Sequence, residues 1–415
     1  EIIKAAEDLL KEIKACTGKK DHVKKDFMVK LLLNLKVSHR THNMISIMRT
    51  PGYYSKIPDR YRHETQSYEI TKRITDLLVK HEYIYFKKGM IKKDKYTYGV
   101  PSKIHPSEKL IPILDKITSD DFIPEPPRDL IILRDADKND MDYTDTTDTQ
   151  RWRADLEKYN NFLTKNEVSL VGLTRDLINK HSSYFRNYEL IDTFNIDTID
   201  ESDFAKIVLR FLQMRRIFNT DFTKGGRFYG GVEGIPSDLR PLIHINGSPT
   251  VELDFSAYQI RMLYHKLKID YQEDPYAALC SEEDPNQREI YKLVTLIVLN
   301  AEEENTALSG LRKKFTDAEL MPIGTKTNEN LRELINKFKE HHSPLAKYFY
   351  SGIGLRLQFS ESKITSKIIH HFLKKGILVL SVHDSFIIAA EFEEDLKKVM
   401  TKEYRTVFKY DPVIK

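Results

Sequence analysis

The stretch TVELDFSAYQIRMLYH, from Thr250 to His265, predicts a strand that ends in a carboxylate and turns at once into a helix. Apolar residues precede Asp254, whereas the residues after Ser256 follow helical spacing. An ordinary buried strand has no use for a carboxylate at its end, because burying an unpaired charge is costly. A metal site on a strand end does need one. We therefore interpret Asp254 as a candidate metal ligand.

A second segment places another carboxylate at the end of a strand. GILVLSVHDSFIIAAE, residues 376–391, predicts two apolar strands with His383, Asp384 and Ser385 in the turn between them. Asp-Ser is also a common turn dipeptide, so an ordinary hairpin turn remains an alternative interpretation. If the two strands are neighbours, Asp254 and Asp384 come together.

Two further segments carry cations. QREIYKLVTLIVLNA, residues 287–301, predicts a helix with Arg288 and Lys292 one turn apart and Asn300 two turns further on. Positive charges aligned on one helix face are suited to binding a triphosphate, although two cations that reach solvent from a buried helix would give the same pattern.

The segment from 225 to 255 begins GGRFYGGVEGIPSDLR and predicts glycine-rich loops. We take Arg227 and Arg240 of that segment as candidate nucleic-acid contacts, with a hairpin carrying surface arginines as the alternative.

The order of these motifs resembles that of the palm and fingers motifs in family A DNA polymerases and in the related phage-type single-subunit RNA polymerases. On this basis the chain is identified as a compact, divergent member of that superfamily. The resemblance covers roughly 215–415. It is carried by the following residues: Gly226-Arg227-Phe228-Tyr229, Asp254-Phe255-Ser256 with Arg261 seven residues after the Asp, Arg288 and Lys292, Gln358 in a helix before the last hairpin, and His383-Asp384-Ser385.

The resemblance implies an α+β fold with a polymerase right hand: an antiparallel palm sheet, helical fingers and a small thumb. The palm and fingers would occupy 225–415, and a helical thumb-like region 151–224. It also implies a template-directed nucleotidyltransferase that adds nucleotides to a 3′-OH. The expected partners are a DNA template and primer or RNA, together with nucleoside triphosphates. We expect DNA as the product, with a single-subunit RNA polymerase or primase as the alternative.

The same resemblance assigns roles to the candidate residues. Two Mg²⁺ ions, or Mn²⁺ in their place, are expected on Asp254, Asp384 and the backbone carbonyl of Phe255, because Mg²⁺ completes its shell with water and phosphate oxygens. Lys292 and Arg288 would bind the triphosphate. Contacts with primer or template are assigned to a further set: Arg227, Gln358, His383 and Arg261, the last of which could instead be a structural anchor.

Two positions depart from the family pattern. Asn300 and Ala301 stand where the fingers helix of the family has Tyr-Gly, and Gln259 stands where the DNA enzymes have a Glu that blocks the ribose 2′-OH. Gln259 and Asn300 are therefore candidate nucleotide contacts that leave the choice of sugar open. A DNA-binding replication initiator or regulator with a degenerate polymerase fold is a second hypothesis, and a template-independent terminal transferase is a third.

The N-terminal part of the chain differs from the rest in charge. Residues 1–120 hold 25 Lys and Arg against 15 Asp and Glu, whereas the remainder holds 41 against 47. Residues 70–81 predict a helix, and two strand-like pieces follow, joined by a turn with Lys92, Lys93 and Lys95. This order predicts a winged-helix-like domain over 1–120 that contacts nucleic acid, or else a protein-docking module. A Pro- and Asp-rich connector is expected over 121–150, with helices resuming from 151 to about 222.

The length and composition of the chain argue against some classes of protein. The chain of 415 residues is 40% hydrophobic and is long enough for two or three domains. We expect no membrane helix, because no sufficiently long apolar run occurs. Two cysteines, Cys16 and Cys280, are too few for a disulfide framework, so we expect a cytoplasmic protein.

Overall fold

The computed structural model describes residues 1–415 apart from 17, 19, 94–96, 119–127, 183, 186–204, 210, 211, 281–285 and 318–326. The protein has a mixed α+β fold, which confirms that part of the prediction. The chain divides into two compact units. The first contains Glu1–Asp129 and Ser169–Phe211, and the second contains Leu130–Val168 and Leu212–Lys415.

The helices and strands alternate irregularly along the chain. The helices are α1 (Ile2–Glu12), α2 (Asp21–Thr41), α3 (Pro51–Ser55), α4 (Tyr68–Lys80), α5 (Ile111–Leu114), α6 (Thr147–Leu163), α7 (Arg175–Lys180), α8 (Tyr258–Lys266), α9 (Gln287–Asn300), α10 (Glu304–Asp317), α11 (Asn328–His341), α12 (Gly354–Lys374) and α13 (Glu393–Phe408). The strands are β1 (Ile45–Ile47), β2 (Ile84–Lys87), β3 (Met90–Lys93), β4 (Thr97–Val100), β5 (Ser102–Pro106), β6 (Ile131–Arg134), β7 (Asp140–Met141), β8 (Val168–Leu173), β9 (Ala205–Val208), β10 (Arg215–Asn219), β11 (Asp221–Tyr229), β12 (Ile243–Ile245), β13 (Ser248–Asp254), β14 (Val379–Val382) and β15 (Ser385–Ala389).

In the first unit, α1, α2 and α4 pack their apolar faces onto a small antiparallel sheet with the strand order β1-β5-β2. The predicted helix over 70–81 is confirmed. Ile70, Ile74 and Leu78 are buried on one face of α4, and Leu77 packs beside them. The Ser67 side chain caps the start of this helix by accepting from the Ile70 amide.

The basic hairpin of the first unit is longer than the sequence predicts. The strands β3 and β4 pair with each other as a separate ribbon, while β2 and β5 pair beneath them. Lys92 and Lys93 therefore lie in β3 rather than in the turn, because the strand continues beyond Gly89. Their side chains and the whole of Lys95 are outside the described residues.

The second unit contains the strand-to-helix stretch around Asp254. Strands β12, β13, β15 and β14 lie side by side in an antiparallel sheet, in which Asp254 of β13 is opposite Ser385 of β15. Both the strand-to-helix turn after Asp254 and the apolar hairpin of β14 and β15 agree with the sequence prediction. Helices α12 and α13 pack against this sheet and complete its core.

A second sheet in this unit, with the order β11-β10-β6-β7, corrects two predictions. Residues 215–222, which the sequence predicts as helical, lie in β10 and β11, because the backbone of β10 pairs with β11 on one side and with β6 on the other. Residues 205–208 of the first unit likewise form a strand, β9, which pairs with β8. The glycine pair lies within β11 rather than in a loop. Gly225 and Gly226, with φ of +72° and +76°, form a β-bulge, and a Cβ on Gly226 would come within 2.6 Å of the Phe218 ring.

None of the helices described here is both long enough and apolar enough to cross a membrane.

Candidate active centre

The two strand-end carboxylates are brought together by the backbone. Asp254 is the last residue of β13, and Asp384 immediately precedes β15, the strand that pairs with β13. The amide nitrogen of Phe255 donates to the carbonyl oxygen of Asp384 over 3.1 Å. The juxtaposition expected from the sequence is therefore present.

The strand end that carries Asp254 is held from both sides. Its other edge pairs with residues 413–415, since the Asp254 amide donates to the Lys415 carbonyl over 2.8 Å and the Ser256 amide donates to the Val413 carbonyl over 2.9 Å. The Phe255 ring is buried and stacks on Tyr258 with ring centroids 4.5 Å apart. Packing on both edges leaves the carboxylate little freedom, which is what a preorganised site requires.

Electrostatics at this point favour a cation. Burial raises the pKa of Asp254 to about 7, and the negative charges of Asp384 and Glu252 add to the rise. Lys292 and Arg240 act in the opposite direction on the same pKa. The carboxylates therefore repel one another in a partly desolvated position, and a divalent cation would relieve that repulsion.

The ligand set that fits such a cation is small. In the described ranges, no group of three or more His, Cys, Asp or Glu side chains is placed to hold one metal ion. Two carboxylates and a backbone oxygen are nevertheless sufficient for Mg²⁺, which retains several waters and takes substrate phosphate oxygens as ligands. Asp254, Asp384 and the Phe255 carbonyl meet that requirement in residue type.

A buried glutamate beside this pair was missed by the sequence analysis. Glu361 of α12 has a side chain that is only 1% exposed. One of its oxygens accepts from the Arg227 guanidinium through Nε, at 2.9 Å, and through Nη2. The other oxygen accepts from Nε2 of Gln259 over 2.9 Å. Glu361 thus holds both Arg227 and Gln259, two residues that the sequence predicts to contact substrates, in fixed positions.

The helical spacing of α12 could have revealed Glu361. It lies three residues after Gln358, which the resemblance singles out and which is half-buried in the structure. A carboxylate on the apolar side of an amphipathic helix needs a cationic partner, because an isolated buried charge is unstable. The partner, Arg227, is 134 residues away in the sequence. Only the fold reveals that connection.

His383 lies in the turn between β14 and β15 with φ of +56°. Its ring packs edge-on to Tyr229 with centroids 5.8 Å apart. Burial lowers its pKa, and the nearby Arg227 charge adds to that effect. Its Nδ1 is buried and has no hydrogen-bond partner among the groups that the structure describes. We conclude that His383 presents a neutral imidazole close to Asp384.

The cationic stripe on α9 is divided between two environments. Lys292 is close enough to Asp254 to oppose the rise in its pKa, and it also forms an ion pair with Glu289. Arg288, one turn earlier, pairs with Asp274 at 3.1 Å and lies over the Tyr276 ring at 5.4 Å from its centroid. Lys292 therefore belongs to the centre, whereas Arg288 is held by an internal pair.

Arg261 is a structural residue, which corrects its assignment as a nucleic-acid contact. It is 3% exposed, and each of its three nitrogens donates to a backbone carbonyl. The acceptors are Ser256 at 3.0 Å, Glu273 at 2.9 Å, and Tyr271. The guanidinium ties the start of α8 to the following segment and is inaccessible to a ligand.

Asn300 lies between two helices, whereas Arg240 lies near Asp254. Asn300 donates to the Leu296 carbonyl over 2.6 Å and packs so tightly against α12 that a Cβ on Gly354 would lie 2.1 Å from its Oδ1. It joins α9 to α12, and its contact with a nucleotide stays a prediction. Arg240 pairs with Glu252 at 3.2 Å and adds positive charge near Asp254.

No known protein-family model matches this chain, and no curated protein matches its sequence significantly. What the protein does is therefore inferred from the residues of this centre.

Proposed function

We propose that the protein is a template-directed nucleotidyltransferase that adds nucleotides to a 3′-OH, with DNA as its product. One observation supports this most strongly. Asp254 and Asp384 lie on adjacent strand ends of an antiparallel sheet, joined by the hydrogen bond from the Phe255 amide to the Asp384 carbonyl. The positive charge of Lys292 acts on the same carboxylate, since it opposes the rise in the pKa of Asp254. Paired carboxylates beside a triphosphate-binding cation are what phosphoryl transfer needs.

Asp254, Asp384 and the carbonyl of Phe255 would hold two Mg²⁺ ions, and Mn²⁺ would also serve. When bound, these ions supply Lewis acidity that lowers the pKa of the attacking 3′-hydroxyl and stabilises charge on the leaving pyrophosphate. The carboxylates contribute the fixed negative charge that positions them. The raised pKa of Asp254 is consistent with this role, because burial and, to a lesser extent, repulsion from Asp384 and Glu252 disfavour its negative charge, and a bound cation would offset both.

The cationic side chains would bind and orient the substrates. Lys292 would neutralise the triphosphate and deliver a proton from Nζ to the departing pyrophosphate. Arg288 would take the outer phosphates by exchanging Asp274 for them. Arg227 and His383 would hold the primer end and template. Glu361 would keep Arg227 and Gln259 in fixed orientations by accepting hydrogen bonds from both.

Gln259 is the residue through which the sugar would be read. Because an ionised Glu361 can only accept, the Gln259 amide presents its nitrogen to that residue. Its carbonyl oxygen remains for a ligand. Gln259 is similar in size to the Glu of the DNA enzymes but uncharged, so the choice of sugar stays open and incorporation of ribonucleotides is the second activity to test.

The same proposal extends to the right-hand architecture and to the first unit. The sheet of β12 to β15 would be the palm, and α9 a fingers helix. In the first unit, α2, β1, α3, α4, β2 and β5 follow one another with the β3–β4 ribbon between the last two strands. This order supports a winged-helix-like DNA contact by the ribbon, whose strand β3 contains Lys92 and Lys93; the predicted contact of Lys95 lies outside the described residues.

The experiment is extension of a labelled primer on a template with a 5′ overhang, in Mg²⁺ or Mn²⁺, with dNTPs and NTPs supplied separately. We expect products whose sequence follows the template in the wild type, and their loss in Asp254→Ala and Asp384→Ala. Asp395→Ala, which changes an exposed carboxylate on α13, is the matched control and should retain full activity.

Two other outcomes would replace the proposal. Absence of incorporation under all conditions, with DNA binding intact, would favour the replication initiator. Incorporation that is indifferent to template sequence would favour the terminal transferase.

A further inference from the structure

A second concave surface lies on the side of α12 that faces away from Glu361. Residues 359, 363, 366 and 370 follow the helical repeat and share one face, which begins about 200° around the helix from Glu361. Together with α6, β10, β11 and α13, this face lines a groove of about 1140 Å³. We call it the α12 groove. Its volume exceeds the range of about 300–1,000 Å³ typical of pockets for one small ligand.

Aromatic side chains form the floor of the α12 groove. Trp152 of α6 lies 6.1 Å from Phe222 and 6.5 Å from Phe359 between ring centroids. All three side chains line the groove and are only half-buried. A cluster of partly exposed rings is a suitable platform for flat ligands such as bases.

The rim of the groove is positively charged. Two of the carboxylates that line it are already paired, Asp148 with Arg151 at 2.7 Å and Glu403 with Lys367 at 3.6 Å. Three exposed lysines remain on the same helix surface and its end, and none of them forms an ion pair with any residue that the structure describes: Lys363, Lys374 and Lys375. Asp155 is the remaining carboxylate among the described residues that line the groove.

A buried cation lies at the floor of the groove. Arg216 is 2% exposed, and its guanidinium donates to the Gly226 carbonyl over 2.8 Å and to the Ser362 hydroxyl over 3.0 Å. It also lies over the Trp152 ring at 4.8 Å from the centroid. The charge of Asp155, which also lines the groove, acts on Arg216, but within the described part of the chain no carboxylate is close enough to form an ion pair with it, so the guanidinium lacks a directly paired counter-ion. An anion entering the groove would supply one.

We propose that the α12 groove binds single-stranded nucleic acid. The phosphates would contact Lys363, Lys374 and Lys375 and be drawn toward Arg216, while unpaired bases rest on the aromatic floor. A duplex fits less well, because its bases are stacked internally and cannot reach the rings. The groove is on the opposite face of α12 from Glu361, so binding there requires neither the carboxylates nor incorporation of nucleotides.

The chain carries its own reporter of this binding. Trp152 is the single tryptophan in the sequence, so intrinsic tryptophan emission reports on the groove alone. We would titrate the full chain with an oligothymidylate of about 12 nucleotides, within the usual site sizes for single strands. We expect saturable quenching, and at least tenfold weaker binding of a duplex of the same length. A labelled oligonucleotide that binds by anisotropy without changing the emission would overturn the proposal, as would absence of binding.

Matched charge variants test which lysines are involved. Lys363→Ala/Lys374→Ala should weaken binding at least fivefold and reduce the slope of log affinity against log salt by about 0.7 for each lysine. Lys337→Ala/Lys339→Ala, which removes the same charge from α11, should change neither quantity. An equal loss in both variants would show non-specific attraction and overturn the proposal. Equal binding of polyglutamate of matched charge would also overturn it, in favour of any polyanion. Because only binding is measured, an inactive carboxylate centre would not affect the result.

Discussion

The two faces of α12 carry opposite kinds of charge. One face presents Glu361, buried against Arg227 and Gln259, close to the carboxylates of β13 and β15. The other presents unpaired lysines above the buried Arg216. Glu361 itself is neutralised by Arg227, but the neighbouring carboxylates of Asp254 and Asp384 form no ion pair with any residue that the structure describes, and neither do the three lysines on the other face. By contrast, Arg405 and Asp411 on the surface compensate each other completely through two hydrogen bonds. Uncompensated charge is therefore what distinguishes the two candidate sites from ordinary ion pairs.

The difference between the faces indicates different ligands. The acidic side requires cations, which fits metal ions and a catalytic role. The basic side requires anions, which fits nucleic-acid phosphates and a binding role. One amphipathic helix positions both, since residues two apart in an α-helix point in nearly opposite directions.

The largest effect is expected at the acidic face. Asp254→Asn and Asp384→Asn should each reduce nucleotide incorporation by roughly 10²–10³-fold or more, because a fixed charge is removed from the reacting centre. Metal-free Asp254→Asn should at the same time unfold at an equal or higher temperature, because it removes charge repulsion in a buried position. Thermal unfolding and primer extension measure the two effects. A variant that is both inactive and strongly destabilised would contradict the functional assignment of Asp254.

The next largest effect is a difference in stability between two carboxylates, the buried Glu361 of α12 and the more exposed Glu403 beside the groove. Glu361→Ala should lower the free energy of unfolding by about 3 kcal/mol, because it leaves Arg227 partly buried without its partner. Glu403→Ala, which removes a more exposed carboxylate paired with Lys367 beside the groove, should cost less than about 1 kcal/mol. Urea denaturation of both variants measures the contrast. Equal costs would mean that Glu361 is not the buried anchor described above.

His342, which contacts Tyr264 of α8, differs from both candidate sites because each of its ring nitrogens has a hydrogen-bond partner within the protein. His342 is fully buried, with Nδ1 2.8 Å from the Tyr264 hydroxyl and Nε2 2.9 Å from the Pro275 carbonyl. The Pro275 carbonyl can only accept, so Nε2 carries the proton and Nδ1 accepts from Tyr264. Burial lowers the pKa of His342 to about 4, whereas an unfolded histidine has a pKa of about 6.5.

This shift makes stability depend on pH in a defined window. The unfolded chain binds the extra proton first, so the contribution of His342 is complete above pH of about 6.5 and is lost as pH falls toward about 4. The slope is at most about 1.4 kcal/mol per pH unit. His342→Gln should flatten the pH dependence of unfolding in that window. An unchanged slope in this variant would assign the dependence to other groups.

The smallest effect is expected at the turn after Asp254. Ala257, the N-cap residue before α8, has φ of +48°, a left-handed conformation that costs a residue with a Cβ about 1 kcal/mol. Ala257→Gly should therefore leave stability unchanged or raise it by up to about 1 kcal/mol. Ala154→Gly, the same substitution inside α6, should lower stability by about 1 kcal/mol. Calorimetry of the pair decides whether the turn is strained as described.

The sequence predicted the local elements of the centre well because their patterns are short and strong. The strand before Asp254, the helix with Lys292 and the hairpin around Asp384 each carry their own periodicity. The α+β class and the helix over 70–81 were predictable for the same reason. The strands at 215–229 were not, because Arg215, Arg216 and the glycine bulge obscure the alternation by which a strand is recognised.

Long-range contacts were less predictable still. Glu361 and Arg227 are 134 residues apart, and the sequence around neither residue indicates that they form an ion pair. Arg261 looks like a ligand-binding cation in the sequence, yet it donates to backbone carbonyls that only the folded chain assembles. The α12 groove depends on α6, β10, β11 and α13 meeting at one place, and such a meeting leaves no local signature.

We propose that the carboxylates of Asp254 and Asp384 perform catalysis. The most direct test measures template-directed incorporation by wild type, Asp254→Asn and Asp384→Asn, with oligonucleotide binding followed by Trp152 emission in the same samples. We predict that both variants lose incorporation while binding remains at the wild-type level. Incorporation at the wild-type rate in either variant would contradict the claim.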